Sequence, residues 1–382
     1  MDRMMMGNTF LIRKFNEESD VDMALKLERN CEAGSQDGFF VGSVIGDPLV
    51  RIMFFPIRIM LVAELRKNGE IVGMIRGCIK HVGTRFGGRH VKFGCILGLR
   101  VSPRHRRMGI GLKLVEAIEE WMVENGAEYT FLATEESNIA SNNLFALKCN
   151  YVKFSSLLIY VQEDCSSLNN KPQPQNIQIE KLSIDEAIFL HKRHQGTKDM
   201  YLADIDKVLN EKPSLGTWVS YLKDDGWDIG LSKRDIRDSH DVRSWATLSI
   251  WNKCETDQKK LIIQNAERSR RSSISHLVEK QHQQQEPSSF LFLHGLFGEG
   301  DRVGELVESL WWFAMRVAAN MNCKAMVTEL GFSDPMSEFV PRGISSLSYT
   351  NDVWYAKRVS DQEDDLTMKG MFGNVAVDPR DF

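Results

Sequence analysis

The chain has 382 residues, 42% of them hydrophobic, and a formal net charge of -4 at pH 7. This length exceeds that of one ordinary domain, so we expect two hydrophobic cores rather than one large core. The small net charge argues against a general polyanion binder. The seven cysteines are scattered without metal-ligand or redox spacing, which favours an intracellular protein without a bound metal. Arg51, Pro56 and Arg58 interrupt the most apolar run, 49–65, so we expect no membrane-spanning segment.

Strands and helices alternate along the first 165 residues. The runs 57–65 and 71–80 have strand composition, and Asn68 and Gly69 between them predict a hairpin because both residue types tolerate positive φ. The other predicted elements are a strand at 10–15, a helix that begins after Asp20, a strand at 93–101, a helix that starts near Gly109 and stops at Asn125, a strand at 129–134, a helix at 138–145 and a strand at 151–161. We expect the strand at 151–161 to complete the sheet of the first unit.

The chain divides into two predicted domains. Residues 1–165 form the first, and residues 166–176, which are rich in proline, glutamine and asparagine, form a linker. The second domain covers 177–382 and starts with a long helix at 188–209. A break in composition near 265–289 favours a mobile surface insertion within this domain.

A glycine turn joins the strand at 93–101 to the helix that follows it. Free backbone N–H groups and the helix dipole attract an anion at a helix start, and glycine lets the anion approach the main chain. Gly109 and Gly111 provide that access, and Arg106 and Arg107 add positive charge. The same turn also fits a structural role in which it only packs the helix on the strand.

Positive charge is concentrated around this turn. Between Glu70 and Glu116 the sequence contains no Asp or Glu. The basic residues of this window are Arg76, Lys80, Arg85, Arg89, Lys92, Arg100, Arg104, Arg106, Arg107 and Lys113. We therefore expect an anion to bind in this window.

Two motifs carry a resemblance to the Gcn5-related N-acetyltransferases (GNAT). Residues 106–111 resemble the Arg/Gln-x-x-Gly-x-Gly/Ala loop of that family, and residues 138–145 resemble its Asn-x-x-Ala-x-x-Leu-Tyr motif through Asn138, Ser141 and Leu144. The resemblance implies an α/β (α+β) fold with a mixed sheet flanked by helices, and acetyl-coenzyme A (acetyl-CoA) as co-substrate without a metal. It implies cofactor binding by Leu99, Arg100, Val101, Arg106, Arg107, Met108, Gly109, Ile110, Gly111 and Asn138.

Longer segments resemble the plant Hookless-type probable N-acetyltransferases. These segments are 71–80 (IVGMIRGCIK), 97–103 (LGLRVSP), 125–129 (NGAEY), 204–210 (DIDKVLN), 214–217 (SLGT) and 377–382 (VDPRDF). The resemblance implies a plant N-acetyltransferase connected with growth and hormone response, which acts on a protein or small-molecule amine. Its expected location is the nucleus or the cytoplasm.

The second domain repeats part of the first. A strand, a glycine turn, a helix and a strand at 93–134 recur in the same order at 290–329, and Gly109 aligns with Gly298. This pattern predicts a second, diverged GNAT-like lobe. The carboxylates of Glu299 and Asp301 lie beside the second turn and would repel an anion. We therefore expect this lobe to have lost its cofactor.

The catalytic groups are harder to assign than the cofactor loop. An acceptor amine must lose a proton before it attacks, so a base is needed. The strand at 93–101 contains no carboxylate, and Glu135 is the candidate base, with Glu64 and Glu136 as alternatives. Phe145 occupies the position of the tyrosine that often protonates the leaving thiolate in this family.

The sequence is also compatible with two other functions. Phe145 and the missing strand carboxylate favour a regulatory scaffold that binds acetyl-CoA with little or no turnover. A nucleic-acid binder would use the basic window, but few aromatic residues beyond Phe86 and Phe93 accompany it, so nucleic acid is a disfavoured partner.

Overall fold

The computed structural model describes residues 9–32, 48–85, 90–163, 165, 174–227, 243–253, 289–342, 347–360 and 370–382. The insertion predicted near 265–289 lies outside the described residues except for Ser289. Within the described ranges, no helix is long and apolar enough to cross a membrane. The mixed α/β fold class expected from the sequence is confirmed.

Thirteen strands and six α-helices lie within these ranges. The strands are β1 (Phe10–Lys14), β2 (Arg58–Leu65), β3 (Ile71–Thr84), β4 (His90–Val101), β5 (Tyr129–Glu135), β6 (Val152–Glu163), β7 (Ile177–Lys181), β8 (Met200–Leu202), β9 (Ser214–Leu222), β10 (Trp245–Asn252), β11 (Phe290–Glu299), β12 (Ala325–Gly331) and β13 (Leu347–Arg358). The helices are α1 (Val21–Glu32), α2 (Ile110–Glu124), α3 (Ile139–Asn143), α4 (Ile184–Gln195), α5 (Ile205–Asn210) and α6 (Val303–Asn320).

The chain forms two compact units, each built from more than one segment. Unit 1 contains the described residues of 1–156 together with those of 351–372 and Asp381. Unit 2 contains the described residues of 157–350 together with 373–380 and Phe382. The domain limits inferred from the sequence remain a prediction.

The sheet of unit 1 has the order β1-β2-β3-β4-β5-β13. Its neighbours are antiparallel except for β4 and β5, which are parallel. The strand expected at 151–161 does not pair with β5, because β13 takes that place and pairs through Asp352–Arg358. Residues Leu157–Glu163 of β6 pair instead with β12 in unit 2. Both candidates are 12-residue strands with polar ends and buried hydrophobic residues between them, so local pattern alone does not decide between them.

Helix α2 packs its apolar face on this sheet. Ile118 and Met122 on that face are fully buried, and a Cβ on Gly77 of β3 would contact both of them. Glycine in the strand thus lets the helix approach the sheet closely. The helix ends at Asn125, and Gly126 follows with φ of +79°, a conformation that suits glycine after a helix.

The sheet of unit 2 has the order β7-β9-β10-β11-β12-β6, with β11 and β12 parallel and the other neighbours antiparallel. Helix α6 buries Leu306, Leu310 and Trp311 in the core of this unit. The tryptophan thus serves packing. From β1 to β13 in unit 1 and from β7 to β6 in unit 2, three antiparallel pairs are followed by one parallel pair and then by one antiparallel pair.

Two sequence expectations for unit 2 are wrong in detail. The single helix expected at 188–209 is two helices, because α4 ends at Gly196 and β8 lies before α5. Gly298, which the sequence aligned with Gly109, lies inside β11 rather than at a helix start. A glycine pattern does not distinguish a strand glycine from a turn glycine, and this explains the error.

The contact of α2 with the sheet predicts a sharp difference between two substitutions. Ile118→Ala should lower the free energy of unfolding by about 2–5 kcal/mol, because it empties a fully buried site. Val123→Ala on the exposed side of the same helix should change it by less than about 0.5 kcal/mol. Urea unfolding of both variants checks this, and equal effects would contradict the packing described.

Candidate functional site

The strands β4 and β5 separate halfway along the sheet of unit 1. Their parallel pairing runs from Phe93 with Tyr129 to Ile96 with Leu132. Beyond that point β4 continues beside β3, and β5 continues beside β13. The described strands therefore leave a gap that is bordered on one side by residues 97–101 of β4.

A bulge in β4 lies at the start of this gap. The register of β3 with β4 shifts by one residue between Met74 and Arg76. Gly98, opposite the shift, has φ of +56°, and a Cβ there would overlap the guanidinium group of Arg76. Glycine satisfies both the backbone conformation and the close approach.

Arg76 holds this bulge from inside the unit. Its side chain is fully buried and donates hydrogen bonds to the Glu28 carboxylate of α1 at 2.7 Å and to the carbonyls of Gly98 and Pro48. The buried charge is thus paired and hydrogen-bonded, as burial requires.

The buried position of Arg76 corrects the interpretation of the basic window. Arg76 pairs with Glu28, and the buried Lys80 pairs with Asp381, so neither side chain is available to bind an external anion. The window itself has no carboxylate, but distant parts of the chain supply both partners. Sequence spacing gave no signal for either pair.

The start of α2 has the features of an anion site. Gly109 is the N-cap of the helix with φ of +81°, and no side chain of the described residues caps it. Lys113 is the first residue whose N–H bonds back to Gly109, at 3.0 Å, so the N–H groups of Ile110, Gly111 and Leu112 precede the first intrahelical bond. A Cβ on Gly109 would meet nothing within 4 Å, so a ligand has room to approach the main chain. The arrangement fits a diphosphate.

Several predicted site residues lie together beside this helix start. Arg106 is exposed and donates from Nε to the Val101 carbonyl at 3.3 Å. Arg100 donates to the Leu99 carbonyl at 3.2 Å. Cys31 of α1 donates to the same Val101 carbonyl at 3.5 Å, and burial raises the pKa of its thiol although both arginines oppose that shift. The end of β4 and the loop therefore form one positively charged corner, to which Arg107 and Met108 add exposed side chains.

Asn138 and Glu135 lie at the end of β5. Asn138 caps α3, since its side-chain oxygen accepts the N–H of Ser141 at 3.2 Å. Glu135 is half-buried, and its carboxylate accepts the Ser137 hydroxyl at 3.3 Å. These contacts give Asn138 a structural role in the helix start and leave Glu135 at the edge of the strand that borders the gap.

Phe145 lies in the core of unit 1. Its side chain is 2% exposed and contacts the ring of Tyr151 edge-on, with 5.3 Å between ring centroids. Tyr151 is also buried and donates to the Thr130 hydroxyl at 2.8 Å, and burial raises the pKa of its phenol. Neither aromatic residue is placed to donate a proton in the gap. Among the described residues, no three His, Cys, Asp or Glu side chains are grouped to hold a metal ion.

The Arg76–Glu28 pair predicts a non-additive effect on stability. Arg76→Met should lower the free energy of unfolding by about 3–5 kcal/mol, because it leaves the Glu28 carboxylate buried without its partner. The double variant Arg76→Met with Glu28→Leu should recover most of that loss. Urea denaturation measures the parent, Arg76→Met, Glu28→Leu and the double variant. A double variant as unstable as the sum of the two single variants would contradict the pairing.

Comparison with known proteins places the fold and the loop in one family. A model of the acetyltransferase (GNAT) family matches residues 47–151, which contain the strand gap and the helix start. Two solved structures share the fold over most of the chain. The glucosamine N-acetyltransferase region of a fungal β-N-acetylglucosaminidase has a TM-score of 0.55 at 13% identity, covering 91% of this chain and 38% of that one. N-myristoyltransferase of Saccharomyces cerevisiae has a TM-score of 0.53 at 10% identity, covering 97% and 90%.

Relatives by sequence match along almost the full length. The probable N-acetyltransferase HLS1 of Arabidopsis thaliana is 34% identical over 97% of this chain and 100% of its own length, and the HLS1-like protein is 33% identical over 97% and 98%. The acetyl transferase GW6a of Oryza sativa subsp. japonica is 29% identical over 93% and 92%. The chain therefore belongs to the acetyltransferase (GNAT) family, within the group named probable N-acetyltransferases, and acetyl-CoA is the co-substrate of this family.

Proposed function

We propose that unit 1 transfers the acetyl group of acetyl-CoA to an amine on a protein or a small molecule. One observation carries this proposal. The gap between β4 and β5 opens next to the uncapped start of α2, so one ligand could place a diphosphate at the helix and a thioester in the gap. In this arrangement residues 97–101 of β4 lie along the pantetheine arm.

In this proposal the main chain and the arginines of the loop bind the diphosphate. The N–H groups of Met108, Gly109, Ile110 and Gly111 would donate to it, and the guanidinium groups of Arg106 and Arg107 would add charge. Hydrogen bonds to charged groups are roughly twice as strong as neutral ones. Asn138 belongs to the proposed site through its place at the start of α3, where its cap orders the chain beside the gap.

The reaction needs a base and an oxyanion donor. A base takes a proton from the acceptor ammonium, the amine nitrogen attacks the thioester carbonyl, and the carbon–sulfur bond breaks as the thiolate leaves. A main-chain N–H of Leu99 or Val101 would stabilise the negative oxygen that forms in between. Glu135 is the proposed base because it lies on the strand that borders the gap and keeps part of its surface exposed.

Phe145 favours a second candidate function. Its buried phenyl ring cannot protonate the leaving group. A thiol has a pKa of about 8.5, so thiolate departs at neutral pH with little assistance, and turnover remains chemically feasible. A regulatory scaffold that binds acetyl-CoA with weak or no turnover is nevertheless the alternative that this substitution supports.

A cellular role is part of the proposal as well. The resemblance to plant Hookless-type proteins supports a function in growth or hormone response, in the nucleus or the cytoplasm. The acceptor that would connect the site to such a role is an amine of a protein or of a small molecule.

Charge reversal in the loop tests cofactor binding. Arg106→Glu should raise the Kd for acetyl-CoA about ten- to hundredfold, because charge-assisted hydrogen bonds contribute about 1.5–3 kcal/mol each. Lys223→Glu makes the same change of charge at an exposed turn of unit 2 and should leave the Kd unchanged. Isothermal titration calorimetry measures both, and an unchanged Kd in Arg106→Glu would refute the assigned diphosphate position.

A second substitution tests turnover separately from binding. Glu135→Gln should lower kcat about 10²- to 10⁴-fold, as expected for loss of a general base, while the Kd for acetyl-CoA stays the same. Acetyl transfer to a peptide and amine library measures kcat. Transfer by the parent chain with no effect of Glu135→Gln removes this residue from the reaction, and cofactor binding without any transfer supports the scaffold.

A further inference from the structure

Unit 2 contains a cavity that the proposed reaction does not use. The space inside it that the centre of a water molecule can reach is about 70 Å³. It lies where β11 leaves β12, and α4 contributes His191 and His194 to its lining. His294 and Phe297 of β11 line it as well. All residues that line the cavity belong to unit 2.

The sheet of unit 2 has the same irregularity as the sheet of unit 1. The pairing of β10 with β11 shifts by one residue just before Ser249, as that of β3 with β4 shifts just before Arg76. Gly295 has φ of +61° at this shift, and Gly98 has φ of +56° at the other. Ser249 therefore occupies in unit 2 the position of Arg76 in unit 1, which supports a second, diverged copy of the fold.

At the bulge of unit 2, a histidine from α4 takes the place that the arginine side chain has in unit 1. In unit 1 the buried Arg76 side chain fills the space at the bulge and pairs with Glu28 of α1. In unit 2 the Ser249 hydroxyl contacts Nε2 of His191 on α4 at 2.9 Å and the Thr217 hydroxyl at 2.7 Å. A Cβ on Gly295 would overlap the His191 ring, as a Cβ on Gly98 would overlap the Arg76 guanidinium group. The bulge is therefore filled in both units, and the cavity of unit 2 lies beside His191.

Two histidines of the cavity have unmet hydrogen-bonding capacity. The side chains of His194 and His294 are 8% and 6% exposed, and Nε2 of each has no hydrogen-bond partner among the described residues. An unsatisfied buried polar atom is unfavourable, and native proteins retain few of them. Nε2 of either ring can donate or accept, depending on the tautomer. A ligand in the cavity would supply the missing partner.

The electrostatics of the cavity disfavour a charged ligand. Burial lowers the pKa of His194 to about 3 and that of His294 to about 3, so both rings are neutral at pH 7. Lys198 is already paired with Asp334 at 2.6 Å and also donates to the Asn374 side chain. Glu329 is buried and lines the same cavity. An added anion would therefore face the carboxylates of Glu329 and Asp334, and the one cation there, Lys198, is already neutralised by Asp334.

We propose that this cavity binds a small uncharged molecule with an apolar body and a hydroxyl group, which His194 and His294 would contact. A hydroxyl both donates and accepts, so it satisfies either tautomer of each ring. Leucines from three elements, Leu190, Leu202 and Leu296, supply the apolar lining. The site does not depend on acetyl transfer by unit 1.

Three probes with the same apolar body test the proposal on the full-length chain. Benzyl alcohol is uncharged, benzoate is an anion and benzylamine is a cation at neutral pH. Saturation-transfer NMR at millimolar concentrations should show benzyl alcohol bound, with each charged probe at least about tenfold weaker. Absence of benzyl alcohol binding, or equal or tighter binding of either charged probe, would overturn the proposal.

Variants of the cavity locate the bound probe. His294→Leu should weaken benzyl alcohol about three- to tenfold, as expected for one neutral hydrogen bond, and His294→Gln should retain more of the affinity. Leu296→Trp, which places a larger side chain in the lining of the cavity, should abolish binding by filling the space. Thermal melting and the Kd for acetyl-CoA check that each variant is folded. Unchanged benzyl alcohol binding in folded Leu296→Trp would place the probe elsewhere and refute the site.

Discussion

The separation of β4 from β5 beyond Ile96 and Leu132 is the constraint on which the site depends. Two parallel strands that stop pairing leave main-chain groups between them, and such groups need partners from a ligand, solvent or other chain. The bulge at Gly98 turns β4 at this point, and the buried ion pair of Arg76 with Glu28 fixes the bulge. A buried pair of this kind is weak evidence for net stability compared with an apolar packing, but it specifies one backbone geometry.

Both units use this geometry with different chemistry. In unit 1 an ion pair fills the bulge, and the adjoining helix starts after a glycine with its first N–H groups uncapped. In unit 2 a neutral histidine and a serine occupy the corresponding positions, and a cavity remains. We therefore propose that the same fold offers an anion site in one unit and a neutral, partly apolar site in the other.

The sequence predicted the local elements well because their signals are local. The hairpin at Asn68 and Gly69, helix α2 and its end at Asn125 depend on neighbouring residues only, and the structure contains all of them. The helix start that forms the candidate anion site was visible for the same reason. The position of β13 beside β5 was not visible in the sequence. It depends on whether β6 or β13, two strands from distant parts of the chain, pairs with β5. The burial of Arg76 was equally hidden, because its partner lies 48 residues away.

We propose that the main-chain N–H groups at the start of α2 hold the diphosphate of acetyl-CoA. Hydrogen exchange of the full chain, measured for each amide with and without acetyl-CoA, tests this proposal. We expect slower exchange at residues 108–112 on cofactor binding, with the largest protection at Ile110 and Gly111, and little change in unit 2. Saturating acetyl-CoA that leaves exchange at 108–112 unchanged would contradict it.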